Sequence, residues 1–344
     1  MRNKKRKTYM IIKGFLHSLV MKPKYQHIMP EFLKQEAVKL SMATIKAVEP
    51  YRYEGALNFK DKAFCAWKDL GYKTQEGYYP TILRWLLFRK DILPTLLQKE
   101  KKLVYVQPVS LYFDTGFTVL TNEIIPLFWD CWPCFYDKVE TWLKKHKVKT
   151  AIFTSLQEMA EIKRRLPDLN VIHCPEGVDT SIYKEGKELK HRDIDILEFG
   201  RPNNIISSNI PLLNTVRTAE ISPRLSDQEL REMMENAKIT ICFPRNITHP
   251  EETGNVETLT QRYWEAMLSR MVIIGHCPQE LKDLIGYNPV IEYDYSTEAA
   301  SQIENILCHI EDYQSLVDKN RYAALKHGDW KIRMRKIYDE ICLS

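Results

Sequence analysis

From residue 103 to residue 275, short apolar runs rich in β-branched and aromatic residues alternate with segments whose apolar residues recur every three or four positions. That order constrains the chain more than any other feature, because alternating strands and helices fold as parallel sheets covered on both faces. The runs predict strands at 103–106, 124–129, 151–154, 171–174, 194–200, 239–243 and 271–275. The periodic segments predict helices at 135–146, 156–166, 226–237, 258–270, 297–309, 311–325 and 329–342. The alternation breaks once, at Pro175-Glu176-Gly177-Val178-Asp179, and then resumes. A chain of 344 residues is longer than one core usually serves. The expectation is therefore an α/β chain of two Rossmann-like domains facing a cleft. Before residue 100 the spacing is helical, over 31–48, 59–70 and 81–99, which predicts a helix-rich N-terminal region. The domains expected are 1–174, 175–325 and a closing helix over 326–344 that packs back on the first.

Charge divides along the same break. Residues 1–174 hold 30 Lys and Arg against 17 Asp and Glu, a net of +13, while residues 175–344 carry a net of −8. Such asymmetry predicts two halves with different partners. The first 24 residues carry Arg2, Lys4, Lys5, Arg6, Lys7, Lys13, Lys22 and Lys24 and no acid. Read as a helix, the segment puts Ile11, Ile12, Phe15, Leu16 and Leu19 on one face, a pattern suited to an anionic membrane surface. A solvated basic tail with an ordinary docking helix behind it fits equally. Lys13 and His17 interrupt the apolar stretch and no small-residue cleavage site follows, so it does not read as an export signal. No stretch approaches the ~18 apolar residues of a membrane span. The eight cysteines are scattered, mostly in apolar runs, as expected of a reduced cytoplasmic protein.

The chemistry concentrates in Glu257-Thr258-Leu259-Thr260-Gln261-Arg262-Tyr263-Trp264-Glu265-Ala266-Met267, where two glutamates stand with seven residues between them before a buried strand. Three further stretches accompany it in order: Pro175-Glu176-Gly177-Val178-Asp179, Leu197-Glu198-Phe199-Gly200-Arg201, and Ser226-Asp227-Gln228-Glu229-Leu230 leading to Ala237. Together, over about residues 120–290, they resemble the family 4 glycosyltransferases of the GT-B fold and related bacterial polysaccharide glycosyltransferases. The resemblance implies a retaining transfer of sugar from a nucleoside-diphosphate sugar to a hydroxyl acceptor, in cell-surface polysaccharide or glycolipid synthesis. It implies that Glu257 contacts the donor sugar and that Glu265 binds the ribose, since carboxylates accept strong hydrogen bonds from vicinal hydroxyls. The N–H groups of Gly254, Asn255 and Val256, with Thr258 and the helix behind them, are expected to hold the diphosphate. Arg201 would add positive charge there, and Arg262 either meets the phosphates or pairs with Glu265.

The chain also departs from that family. No lysine follows Arg201 within the next few residues, which leaves Arg245 or Arg224 as its replacement, and the N-terminal Gly-Gly loop is missing. In the first half, Phe128-Trp129-Asp130-Cys131-Trp132-Pro133-Cys134-Phe135-Tyr136 lies at a strand's C-terminal end, where open α/β sheets bind ligands. Asp130 is the expected contact of the acceptor hydroxyl, with the aromatics either stacking on a sugar ring or filling a core. Neither Cys131 and Cys134 nor the Asp193-Ile194-Asp195 triplet has the surroundings of a redox or metal site. The partners expected are a nucleoside-diphosphate sugar, a saccharide or lipid-linked saccharide and an anionic membrane surface. No metal, cofactor or nucleic acid is expected. A nucleotide-sugar epimerase of the same fold and a non-catalytic nucleotide-sugar-binding scaffold remain the alternatives.

Overall fold

The computed structural model describes residues 45–48, 59–72, 74–75, 102–106, 123–200, 205, 214–222 and 225–343. Nearly all of these belong to one compact unit made of Ala47–Tyr78, Val104–Phe113 and Ile125–Ser344. The basic segment over 1–24, the expected helix over 81–99, Arg201 and Arg224 lie outside the described residues.

Two sheets carry the fold. The first has the strand order β2-β1-β3-β4-β5-β6, with β1 Ile45–Val48, β2 Thr74–Gln75, β3 Lys102–Val106, β4 Glu123–Phe128, β5 Thr150–Phe153 and β6 Asn170–His173. The pairings of β1 with β2, β4 with β5 and β5 with β6 are parallel. Helix α1 (Phe59–Asp69) falls where the spacing placed it, but the helix expected over 31–48 is overturned at its end, where β1 stands. Ile45 and Val48 are β-branched, and Glu49-Pro50 closes the run, so the few apolar residues there extend and pair with β2. Helices α2 (Tyr136–Lys145) and α3 (Leu156–Arg165) connect β4 to β5 and β5 to β6. Tyr136, Val139, Trp142 and Leu143 form the buried stripe of α2.

The second sheet is parallel throughout, in the order β11-β10-β9-β7-β8, with β7 Ile194–Glu198, β8 Thr215–Arg217, β9 Ala237–Cys242, β10 Val272–Gly275 and β11 Val290–Glu292. Its central strands are apolar on both faces, and both faces are buried. On one face Leu197 and Ile273 pack with Met234 of α4 (Asp227–Glu235), with Tyr263, Trp264, Ala266 and Met267 of α7 (Gln261–Leu268), and with Ala323 and Ala324 of α10 (Gln314–His327). On the other, Ile196, Ile239, Ile241, Val272 and Ile274 pack with Ile303 and Ile306 of α9 (Ala299–Cys308). The helices between and beyond are α5 (Arg245–Thr248), α6 (Pro250–Thr253), α7 (Gln261–Leu268), α8 (Gln279–Ile285), α9 (Ala299–Cys308), α10 (Gln314–His327) and α11 (Trp330–Leu343).

The sheets are joined at 175–179. Val178 N–H donates to the Gly328 carbonyl at 2.9 Å, and Trp330 N–H donates to the Val178 carbonyl at 3.0 Å. Asp329 accepts from both the backbone N–H and the hydroxyl of Thr180, at 3.1 and 2.6 Å. Helix α11 then runs against α1, where Tyr338 stacks on Tyr72 with centroids 4.0 Å apart and Lys331 pairs with Asp69 at 3.1 Å.

Candidate functional site

Helix α7 carries the second glutamate and is anchored from below by bulk: Tyr263, Trp264, Ala266, Met267 and Leu268 are all buried. That leaves Gln261, Arg262 and Glu265 on the partly open side. Tyr183, from the segment after the junction, donates its hydroxyl to Glu265 Oε1 at 2.8 Å. Burial, then the charge of Glu265, keep the Tyr183 hydroxyl protonated far above physiological pH, so it remains the donor in that pair. Arg262 Nη2 donates to the Phe243 carbonyl at 3.3 Å. Its Cδ lies only 3.2 Å from where a Cβ on Gly200 would stand. Gly200, with φ +81°, therefore suits that turn for two reasons: its backbone is left-handed and the arginine stem needs the space. Arg262 thus lies against the turn that ends β7.

Glu257 precedes α7 in a loop and is held by both sheets. Its carboxylate accepts from the Gln279 N–H at 2.6 Å and lies 3.0 Å from His276 Nε2. Its own N–H donates to Gln157 Oε1 at 2.6 Å, and its carbonyl accepts from Ser155 Oγ at 3.2 Å. Ser155 and Gln157 stand at the end of β5 and the start of α3, so the first sheet grips the glutamate's backbone while the second grips its side chain. Thr258, next to it, is buried. Of the three N–H groups expected at the diphosphate, Gly254 donates to the Pro250 carbonyl at 2.8 Å and Val256 to the Thr253 carbonyl at 3.2 Å. Asn255 between them is exposed.

Arg245 lies over the ring of Trp132, 5.7 Å from its centroid, and pairs with Glu252. Pro133 beside that tryptophan is 3.5 Å from the Cβ position of Gly254. The aromatic patch of the first sheet therefore reaches the loop that leads to Glu257. Most of it is interior: Phe128, Trp129, Cys131, Trp132 and Tyr136 are buried, and Phe128 stacks on Phe153 at 5.1 Å. Burial pushes the Cys131 thiol up, away from thiolate chemistry. Asp195 pairs with Lys238 at 2.6 Å and Asp193 with Asn236 at 3.0 Å, which accounts for that acidic triplet at the start of β7.

Several groups at the site carry no signal in the sequence. Tyr183, His276, Gln279, Gln157 and Ser155 reach Glu265 or Glu257 from tens of residues away. Asp130 ends β4 with φ +53°, a backbone state uncommon outside glycine. Glu158, Glu176 and Glu280 lie near one another, with Glu280 against His173.

Comparison with solved structures places this architecture. Sucrose-phosphate synthase from Thermosynechococcus elongatus superposes with a TM-score of 0.58 at 12% identity, over 88% of this chain and 100% of that one. Anabaena HepE, solved with UDP and glucose, gives 0.54 at 8% identity over 88% and 100%. The T4 phage BGT, solved with its UDP-glucose substrate, gives 0.51 at 10% identity over 87% and 99%. The fold is that of the GT-B glycosyltransferases. No family model matches the chain, and no curated protein matches it in sequence. At such identities the likeness speaks for the fold alone.

Proposed function

We propose that this chain is a glycosyltransferase that moves a sugar from a nucleoside-diphosphate sugar to a hydroxyl acceptor, with retention of configuration. The observation that carries the reading is helix α7, which sets Arg262 and Glu265 on its open side while Tyr183 orients the carboxylate. HepE and the phage enzyme, which share the fold, were solved with UDP sugars or their parts. In this reading Glu265 binds the ribose, and Glu257 contacts the donor sugar. Arg262 and Arg201, with Arg245 or Arg224, offset the diphosphate charge. Asp130 accepts a hydrogen bond from the acceptor hydroxyl. The acceptor oxygen forms the new bond to the anomeric carbon as the bond to the diphosphate breaks. The electron pair leaves with the diphosphate, which takes the acceptor's proton. Catalysis is then positioning and electrostatic stabilisation of the leaving group, and no metal is needed. Saccharides and lipid-linked saccharides are the acceptors proposed, met at the inner face of an anionic membrane by a cytoplasmic protein. Among the described residues no helix is long and apolar enough to cross a membrane.

A panel of nucleotide sugars incubated with the full chain tests this. Release of free nucleoside diphosphate with sugar transfer supports it. Interconversion of sugars without such release would identify an epimerase, and binding without turnover a scaffold.

A further inference from the structure

A line of side chains runs from the edge of the second sheet to Glu257. It begins at Glu292, the last residue of the edge strand β11. Glu292 Oε1 accepts from Asn288 Nδ2 at 2.9 Å and from the Cys277 N–H at 3.3 Å, and it lies 3.1 Å from Lys282 Nζ. Glu292 Oε2 lies 3.2 Å from His276 Nδ1. The opposite ring nitrogen, Nε2, lies 3.0 Å from Glu257 Oε1. An ionised carboxylate only accepts, so the imidazole is the donor to Glu257. The other oxygen of Glu257 accepts from the Gln279 N–H at 2.6 Å. Both oxygens are thus held from the loop between β10 and α8, and each keeps a further lone pair for a ligand hydroxyl.

That loop does not depend on the ring. The His276 N–H donates to the Cys242 carbonyl at 3.1 Å, and the His276 carbonyl accepts from Tyr263 Oη at 2.6 Å. Both backbone groups are satisfied without the imidazole, and the side chain is 36% exposed. Ion pairs open to solvent contribute little to folding. The ring contributes orientation instead. A free glutamate side chain samples several rotamers, and fixing it before a ligand arrives reduces the entropy lost on binding.

We propose that His276 is a positioning residue for the donor sugar: braced by Glu292, it fixes the Glu257 carboxylate where that carboxylate meets sugar hydroxyls. This rests on the glycosyltransferase reading above, which puts Glu257 at the sugar, and adds the residue that aims it. Glu265 and Arg262, which serve the nucleotide in that reading, are oriented by other groups, Tyr183 and the Phe243 carbonyl. Loss of the imidazole therefore acts on the sugar half of the donor and spares the nucleotide half.

Calorimetric titration of the full chain with each nucleotide sugar of the panel, and with its parent nucleoside diphosphate, tests the proposal. For the best-bound pair, His276→Ala should weaken the nucleotide sugar by about tenfold or more, because a misplaced contact group loses most of its effect. Affinity for the nucleoside diphosphate should stay within about twofold of wild type, as for an independent site. His276→Gln, whose amide can donate to Glu257, should lose no more than about threefold for the nucleotide sugar. In a Glu257→Ala background, His276→Ala should change nucleotide-sugar affinity by no more than about twofold, since a group that acts through Glu257 has nothing left to aim. A role in folding alone would weaken both ligands and lower the urea midpoint. If His276→Ala fails to fold, Glu292→Gln carries the comparison, with a loss of about threefold confined to the nucleotide sugar. Parallel losses for both ligands, no selective loss in a folded variant, or an undiminished effect of His276→Ala in the Glu257→Ala background overturns the proposal alone. Absence of nucleotide binding by wild type overturns the glycosyltransferase reading and this with it.

Discussion

Glu265 is a carboxylate with one oxygen spoken for, since Tyr183 Oη donates to Oε1 at 2.8 Å. The other oxygen is the one proposed to receive a ribose hydroxyl. Glu265→Gln keeps the shape and removes the charge, and a hydrogen bond to a charged group contributes roughly 1.5–3 kcal/mol. Nucleoside-diphosphate affinity should therefore drop by about one to two decades in a folded variant. Calorimetry giving an unchanged affinity would remove Glu265 from the donor site. Gly275 is decided by packing alone. It ends β10 with φ +147°, and a Cβ there would overlap the Cys242 carbonyl oxygen of the neighbouring strand. Gly275→Ala must then part β9 from β10 or shift the turn that carries His276 toward Glu257. A loss of about 2 kcal/mol or more is expected, read as a lowered urea midpoint.

Helix α4 shows how much an element can advertise itself. Ser226 accepts from the Glu229 N–H at 3.2 Å, and Glu229 Oε2 accepts from the Ser226 N–H at 2.7 Å, a reciprocal capping box. Ser226→Ala should cost about 0.5–2 kcal/mol, as a lower urea midpoint with an unchanged slope. A midpoint equal to that of wild type would show that α4 does not depend on its cap. The same signals made most elements legible beforehand. The continuous apolar runs of β9 and β10 and the three-four spacing of α2, α7 and α9 leave little choice of structure. β1 was not legible, because four residues of mixed character read as the tail of a helix until a strand partner, β2, is supplied from 26 or more residues away. The site divides in the same way. Glu257 and Glu265 announce themselves by spacing, but Tyr183, His276 and Gln157 act through contacts that span 19 to 100 residues of sequence, and no local pattern encodes those.

At the scale of the whole molecule, the charge division of +13 before residue 175 against −8 after it is the largest unexplained asymmetry. A uniform surface would serve a soluble acceptor equally well. A basic half serves an enzyme whose acceptor is anchored in an anionic bilayer, because it turns that half toward the lipid before any specific contact forms. Each Lys or Arg held near such a surface contributes about 1 kcal/mol, and the effect fades within a Debye length. Arg2, Lys4, Lys5, Arg6, Lys7, Lys13, Lys22 and Lys24 together are thus worth several kcal/mol at low salt, with Ile12, Phe15, Leu16 and Leu19 adding a salt-independent part if they insert. Three outcomes follow for co-sedimentation with vesicles rich in phosphatidylserine. The full chain should pellet at low salt, lose most of that binding as salt is raised, and lose it again when residues 1–24 are deleted. The truncated chain should still bind nucleoside diphosphate, since Glu257, Glu265 and Arg262 belong to other parts of the sequence. Full-length protein left in the supernatant at low salt would sever the charge asymmetry from the membrane and make a soluble saccharide the acceptor to pursue.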